Sequence, residues 1–325
     1  MKTVLVDNSL CALTIKDDAE PSDIAAYIHA LAHTGVKYVE IDFRALLKLR
    51  HLPEGVGYIF RPVDPMFMRF TEVLPFDYII LSAADIMKYK NVGGSVMLSL
   101  PLPPNYMNRS PRDIIRCADE VLNGQVTELR IRGNFPLISQ NDAVGYLNYI
   151  KSRISVPVDI CPMNNCRTAL NTAMSFMNCQ TDSITVTMGS SERYCSLEEL
   201  MITIVAMYGG LPKGLDMSGL CAAAALHTRV FKNSMISSIP DLVKVFENDL
   251  GSVRNADTGE CVSVRAAVPR ERRFAQSFSE ILKGIHSDWS IHDDAEPKEA
   301  AKSAAAKLYN DTDGEKKSLT APFLN

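Results

Sequence analysis

The residues with chemical capacity gather at the ends of short β-rich runs. Asp7 follows Val4-Leu5-Val6, Glu40 and Asp42 alternate with Val39 and Ile41, and Arg61 follows Tyr58-Ile59-Phe60. Arg130 and Arg132 alternate with Leu129 and Ile131; Cys161 and Asn164 close the run that begins at Val156, and Glu192-Arg193 follow Ile184 to Met188. Two guanidinium groups facing one cavity clamp a carboxylate or a phosphate, because each presents paired N–H donors that match two oxygens. Arg61 and Arg132 are the pair whose positions allow it. Every one of these residues also has a plainer reading. An acid at a strand end bonds loop backbone, Arg44 beside Asp42 makes a local pair, and Glu192 with Arg193 locks a loop. Cys11, Cys161 and Met163 are either a soft-metal or thiol site or inert replacements. Arg270-Glu271-Arg272-Arg273 is either an anion patch or a solvated helix start.

What is missing narrows the chemistry. None of the six histidines (His29, His33, His51, His227, His286, His292) lies at an expected strand exit, and no lysine there supports a Schiff base. The glycine-rich dinucleotide, P-loop and H-E-x-x-H patterns do not occur.

The elements that position these residues alternate. Strands are expected at 3–6, 37–43, 57–60, 77–81, 95–100, 128–132, 156–160 and 184–188, and helices at 22–33, 44–49, 110–122, 141–153, after 163 and at 197–207. Ser22 reads as a helix cap and Thr34-Gly35 as a stop; Met66 to Leu74 is the least marked segment. Eight strands, most followed by a helix, predict a (β/α)8 barrel over 1–212, with chemistry at the strand exits; an open doubly wound sheet is the rival. Residues 213–285 read as a helical appendage, with helices at 217–230, 239–248 and 275–285, and 286–325 as a polar tail in which 299–308 can form a helix.

The chain has 325 residues, 46% hydrophobic and 22% charged, with a formal net charge of -4. That balance proposes neither nucleic acid nor a membrane surface as partner. Eight cysteines without C-x-x-C spacing suit reduced thiols and a cytoplasmic setting.

Four strand exits, taken in order, resemble the DRE-TIM metallolyases of the homocitrate synthase and 2-isopropylmalate synthase branch. The opening D-T-T-L-R-D-G-E is met by Asp7-Asn8-Ser9-Leu10-Cys11-Ala12-Leu13-Thr14, and I-E-V-G by Val39-Glu40-Ile41-Asp42. V-P-I-x-x-H-x-H-N-D is met by Val156 to Asn165, and the G-E-R motif with its following L-E-E by Gly189 to Arg193 and Leu197-Glu198-Glu199. The resemblance implies a Claisen-type condensation of acetyl-CoA with a 2-oxo acid, and dimers in which the C-terminal region of one subunit reaches the other's barrel. It also implies a divalent metal at positions that here read Ala12, Cys161 and Met163, and a catalytic arginine where Cys11 stands. Such a metal needs oxygen and imidazole donors, so no metal is expected and no cofactor, with acetyl-CoA left as a possible substrate. Two readings follow: an acyltransferase with altered or lost chemistry, or a pseudoenzyme that binds a small carboxylate and pairs with itself or a competent homologue. A metal-independent lyase or aldolase is a third. The ligand-binding candidates are Asp7, Glu40, Asp42, Arg61, Arg132, Asn164 and Glu192.

Overall fold

A computed structural model describes residues 3–49, 51–88, 94–102, 115–116, 118, 126–135, 140–164, 168–189, 193–208, 210–232, 253–254 and 261–262. Eight parallel strands close into a barrel in sequence order: β1 (Val4–Asp7), β2 (Val36–Asp42), β3 (Gly57–Arg61), β4 (Tyr78–Ser82), β5 (Val96–Pro101), β6 (Val126–Gly133), β7 (Val158–Pro162) and β8 (Ser183–Val186). The seam is the parallel pairing of β1 with β8, from Val4 opposite Ser183 to Asp7 opposite Val186. The expected (β/α)8 architecture is therefore the observed one, and the open sheet is ruled out.

The helices are α1 (Ser9–Ala12), α2 (Pro21–Thr34), α3 (Phe43–Lys48), α4 (Ala83–Lys88), α5 (Gln140–Lys151), α6 (Ala169–Asn178), α7 (Leu197–Tyr208) and α8 (Met217–Val230). Ser22 is not the cap: Glu20 is the N-cap residue and Pro21 the first residue of α2, where its missing N–H costs nothing. Gly35 ends that helix with φ 99°, in the left-handed region. The weakly marked segment after β3 is a 3-10 helix, Pro65–Glu72, capped by the Asp64 carboxylate accepting from Met66 N at 2.9 Å. Aromatic packing holds this region: Phe67 stacks on Phe43 at 3.9 Å between centroids, and Phe60 on Phe76 at 4.7 Å. The short helix α4 carries no clear signal in the sequence reading.

The core lies between the barrel wall and the helices. Leu5, Val39, Ile41, Phe60, Leu98, Ile131, Ile160 and Ile184 all point there and are buried. Their strand neighbours point the other way, since successive side chains alternate across a strand. Val6, Ile59, Ile80 and Met97 form a second, small apolar cluster inside the barrel. The rest of the interior is polar, which sets up the site.

Helix α8, the first helix expected in the 213–285 appendage, packs against the barrel helix α2. It lies antiparallel on α2. Asp216 N donates to Thr34 O at 3.2 Å at one end, and Lys16 N to Val230 O at 2.8 Å at the other. The run Cys221-Ala222-Ala223-Ala224 permits the close approach, and Gly219 marks the tightest point. A Cβ there would fall inside contact distance of Thr34 N and the His33 carbonyl carbon. Gly219→Ala should lower stability by about 1–3 kcal/mol, the usual cost of overpacking, read as a shift in urea midpoint. An unchanged midpoint would mean the two helices separate freely. Beyond α8, Val253–Arg254 pairs antiparallel with Cys261–Val262. The expected helices at 110–122 (apart from residues 115–116 and 118, which are helical), 239–248, 275–285 and 299–308 lie outside the described residues.

Candidate functional site

Alternation on β2 aims Tyr38, Glu40 and Asp42 into the barrel, and on β6 it aims Glu128, Arg130 and Arg132 inward. Arg130 is fully buried. Its Nη1 donates to Glu40 Oε2 across the barrel, and its Nε donates to Asp159 Oδ2 on the neighbouring β7. Glu40 accepts a second arginine through Arg61 Nε, and Asp159 accepts from Thr185 Oγ1 at 2.7 Å. The result is a chain of charges, Asp159–Arg130–Glu40–Arg61, running from the middle of the barrel to its C-terminal mouth. Burial alone would push the Glu40 carboxyl up, but Arg61 and Arg130 outweigh it and hold it at about 2. Buried ion pairs are poor stabilisers relative to apolar packing. This network therefore fixes side-chain positions more than it adds stability.

Arg61 ends the chain with a quarter of its side chain exposed. Arg132, half-buried, sits two residues beyond Arg130 on the same face and opposite Cys161 in the β6–β7 register. Its Nε is buried and has no hydrogen-bond partner among the described residues. Tyr194, after β8, is buried and lies within electrostatic reach of Arg132, Arg193, Arg61 and the Cys161 thiol, which places these groups around one mouth. Half-buried Cys11 stands over the same opening near Glu40, Asp42, Arg61 and Arg44.

The other candidates are placed differently. Asp42 caps α3, accepting from Arg44 N at 2.9 Å and Ala45 N at 3.2 Å, and pairs with the Arg44 guanidinium at 2.7 Å. Asn164 donates its N–H to Arg193 O at 2.9 Å and accepts from Ala169 N at 3.3 Å, joining the β7 and β8 exits to the start of α6. Asp7 is fully buried and bonds Ser9 and Met188 N, on the side of β1 that faces the helices rather than the mouth. Ala12 ends α1, and Glu192 lies outside the described residues. Met163 forms an antiparallel bridge with Tyr194. Arg130, Asp159 and Tyr194 were not singled out as site residues. The signal for the first was present: charges at 128, 130 and 132 alternate with Leu129 and Ile131 on a barrel strand. Tyr194 carries no such pattern.

Among the described residues the donor set does not fit a divalent metal. The carboxylates nearest the mouth are already bound to guanidinium groups: Glu40 to Arg61 and Arg130, Asp159 to Arg130, and Asp42 to Arg44. Burial pushes the Cys161 thiol up to about 12, so it stays protonated and is a poor ligand. Among the described residues no group of three or more His, Cys, Asp or Glu side chains is arranged to hold a metal ion. What the mouth offers instead is positive charge and N–H donors, the equipment for an anion.

No family model and no curated protein matches this chain. Solved structures do resemble it. Hydroxymethylglutaryl-CoA lyase from Pseudomonas aeruginosa superposes with a TM-score of 0.58 at 12% identity, covering 75% of this chain and 98% of that one. The Bacillus subtilis HMG-CoA lyase gives 0.52 at 14% identity over 70% and 94%. The carboxyl transferase domain of Rhizobium etli pyruvate carboxylase, solved with pyruvate, gives 0.55 at 10% identity over 95% and 62%. At these identities the shared property is the barrel fold.

Proposed function

We propose that the chain is a divergent member of the DRE-TIM metallolyase superfamily whose barrel mouth binds a small carboxylate at Arg61 and Arg132 without a divalent cation. The superfamily reading is supported by the order of the four strand-exit motifs and by the likeness of the fold to the two lyases. The homocitrate synthase-like branch rests on the motifs alone. One observation carries the ligand reading: among the described residues the buried Arg132 Nε lacks a partner, and Arg61, which acts on the same Tyr194, is already held in place by Glu40. A guanidinium nitrogen is costly to bury without an acceptor, so an anion seated there recovers an interaction the fold leaves open.

The ancestral condensation depends on a cation that polarises the 2-oxo acid's carbonyl and grips its carboxylate. Here the arginines take over the grip, while nothing at Ala12, Cys161 or Met163 supplies the polarisation. The chain thus keeps ligand recognition and loses the acetyl-CoA condensation. Pyruvate, the ligand in the neighbouring carboxyl transferase structure, is the first probe.

Thermal unfolding in a pyruvate titration, with EDTA or with added Mg2+, Mn2+ or Zn2+, tests this. At about a hundredfold excess over Kd the stabilisation is about 2.7 kcal/mol, a rise in Tm of about 5–10 °C. The rise should be equal with and without metal, and no thiol should be released from acetyl-CoA. Metal-dependent binding or thiol release would overturn the proposal, as would no response to any 2-oxo acid or simple carboxylate.

A further inference from the structure

A second buried polar cluster, outside the barrel mouth, surrounds the backbone turn that follows β8. Met188 N donates to Ser9 Oγ at 2.7 Å and to Asp7 Oδ2 at 3.3 Å. Met188 O accepts from His227 Nε2 of α8 at 3.0 Å, and Gly189 N donates to Glu198 Oε2 of α7 at 3.0 Å. Ser9 completes the ring by donating from both N and Oγ to the Asp7 carboxyl, at 2.9 and 2.8 Å. Gly189 has φ 88°, a conformation few other residues adopt. Every side chain that bonds this turn is buried: Asp7 and Ser9 at 0%, Glu198 and His227 at 1%.

Two acids and no cation make up the cluster. Asp7 and Glu198 act on each other as like charges, Tyr27 from α2 faces both, and Glu199 adds to the charge around Glu198. His227 is neutral, since burial drives it down to about 4, and its Nε2 must carry the proton to donate to a carbonyl. Neither lysine nor arginine is among the groups acting most strongly on either carboxyl. Glu198 Oε1 and His227 Nδ1 are buried with no hydrogen-bond partner among the described residues. The groups donating to the two carboxyls favour the ionised form, but burial with no cation among the strongest neighbours outweighs them, and the neutral carboxyl is the form the fold tolerates.

We propose that Asp7 and Glu198 form a proton-coupled anchor: protonated, they let the Met188–Gly189 turn seat against α7 and α8, and ionised, they loosen it. Burial raises both carboxyls to about 7, so the switch falls in the neutral range. The sign follows from proton linkage. A carboxyl raised on folding adds stability that is full below its unfolded value near 4 and lost as pH rises through about 7. This anchor is independent of the carboxylate site in the mouth.

The test compares the wild-type chain with Asp7→Asn and Glu198→Gln by equilibrium denaturation between pH 5.5 and 7. Each protonated carboxyl makes the unfolding constant rise about tenfold per pH unit in that window. Each variant should therefore lose about one such tenfold step per unit relative to wild type. Glu128, at the opposite end of the barrel and also raised by burial to about 7, contributes equally to all three chains and drops out of the difference. If the variants do not fold, infrared spectroscopy of Glu128→Gln decides. A protonated-carboxyl band present at pH 6 and lost by pH 8 supports the anchor; its absence at pH 6 overturns it. Variants that keep the wild-type slope overturn it as well.

Discussion

Replacing Arg130 by methionine should destabilise the barrel by about 3–5 kcal/mol, or prevent folding altogether. The loss comes less from the missing ion pairs than from what they leave behind. Glu40 and Asp159 are buried at 0%, and without Arg130 the Asp159 carboxylate keeps only the Thr185 hydroxyl among the described residues. Removing one partner of a buried pair orphans the other, which costs far more than the pair was worth. A triple replacement of Glu40, Arg130 and Asp159 by apolar residues of similar volume should recover most of that loss. It would extend the small interior cluster of Val6, Ile59, Ile80 and Met97 across the barrel. The measurement is the urea midpoint of both variants against wild type. A single replacement costing less than about 1 kcal/mol would mean that losing Arg130 orphans no charge, and the network would not be one of charges.

The second large effect is on binding. Arg132→Gln should weaken pyruvate affinity by about ten- to a hundredfold, the worth of one charge-assisted hydrogen bond. Stability should hardly move, because the buried Arg132 Nε has no hydrogen-bond partner among the described residues to lose. Arg132→Lys should retain only part of the affinity, since an ammonium cannot reproduce the paired geometry of the guanidinium. Arg61→Gln is less clean, as it also removes a partner of Glu40. Calorimetric titration reads all three. If Arg132→Gln binds pyruvate as wild type does, Arg132 has no place in the site and the mouth must hold its ligand elsewhere.

Both expectations concern one device seen from two ends. Arg130 fixes Glu40, and Glu40 fixes Arg61 at the rim where Arg132 waits. Loss of the first should therefore disturb binding through position, and loss of Arg132 should disturb binding alone.

The sequence by itself determined the barrel. Eight β-rich runs separated by capped helices leave few other ways to bury their apolar faces, because local alternation and chain spacing are short-range properties written in consecutive residues. It also showed that the metal positions of the resembling family read Ala12, Cys161 and Met163, since ligand chemistry depends on residue type alone. What it left open is equally physical. Asp7 and Glu40 look alike as acids on early strands, yet a one-residue difference in facing sends Asp7 toward the helices and Glu40 into the barrel. Asp42 looks like a ligand group and is taken up by the first turn of α3. Helix α8 reads as an appendage because nothing local records that Gly219 fits against Thr34, some 185 residues earlier in the chain. Only the closed structure brings Arg130 to Glu40 across 90 residues and His227 to Met188 across 39. Those contacts join strands and helices that are neighbours only once the barrel has closed. Which acids are paired with guanidinium groups and which are left to hold protons is therefore a property of the tertiary fold.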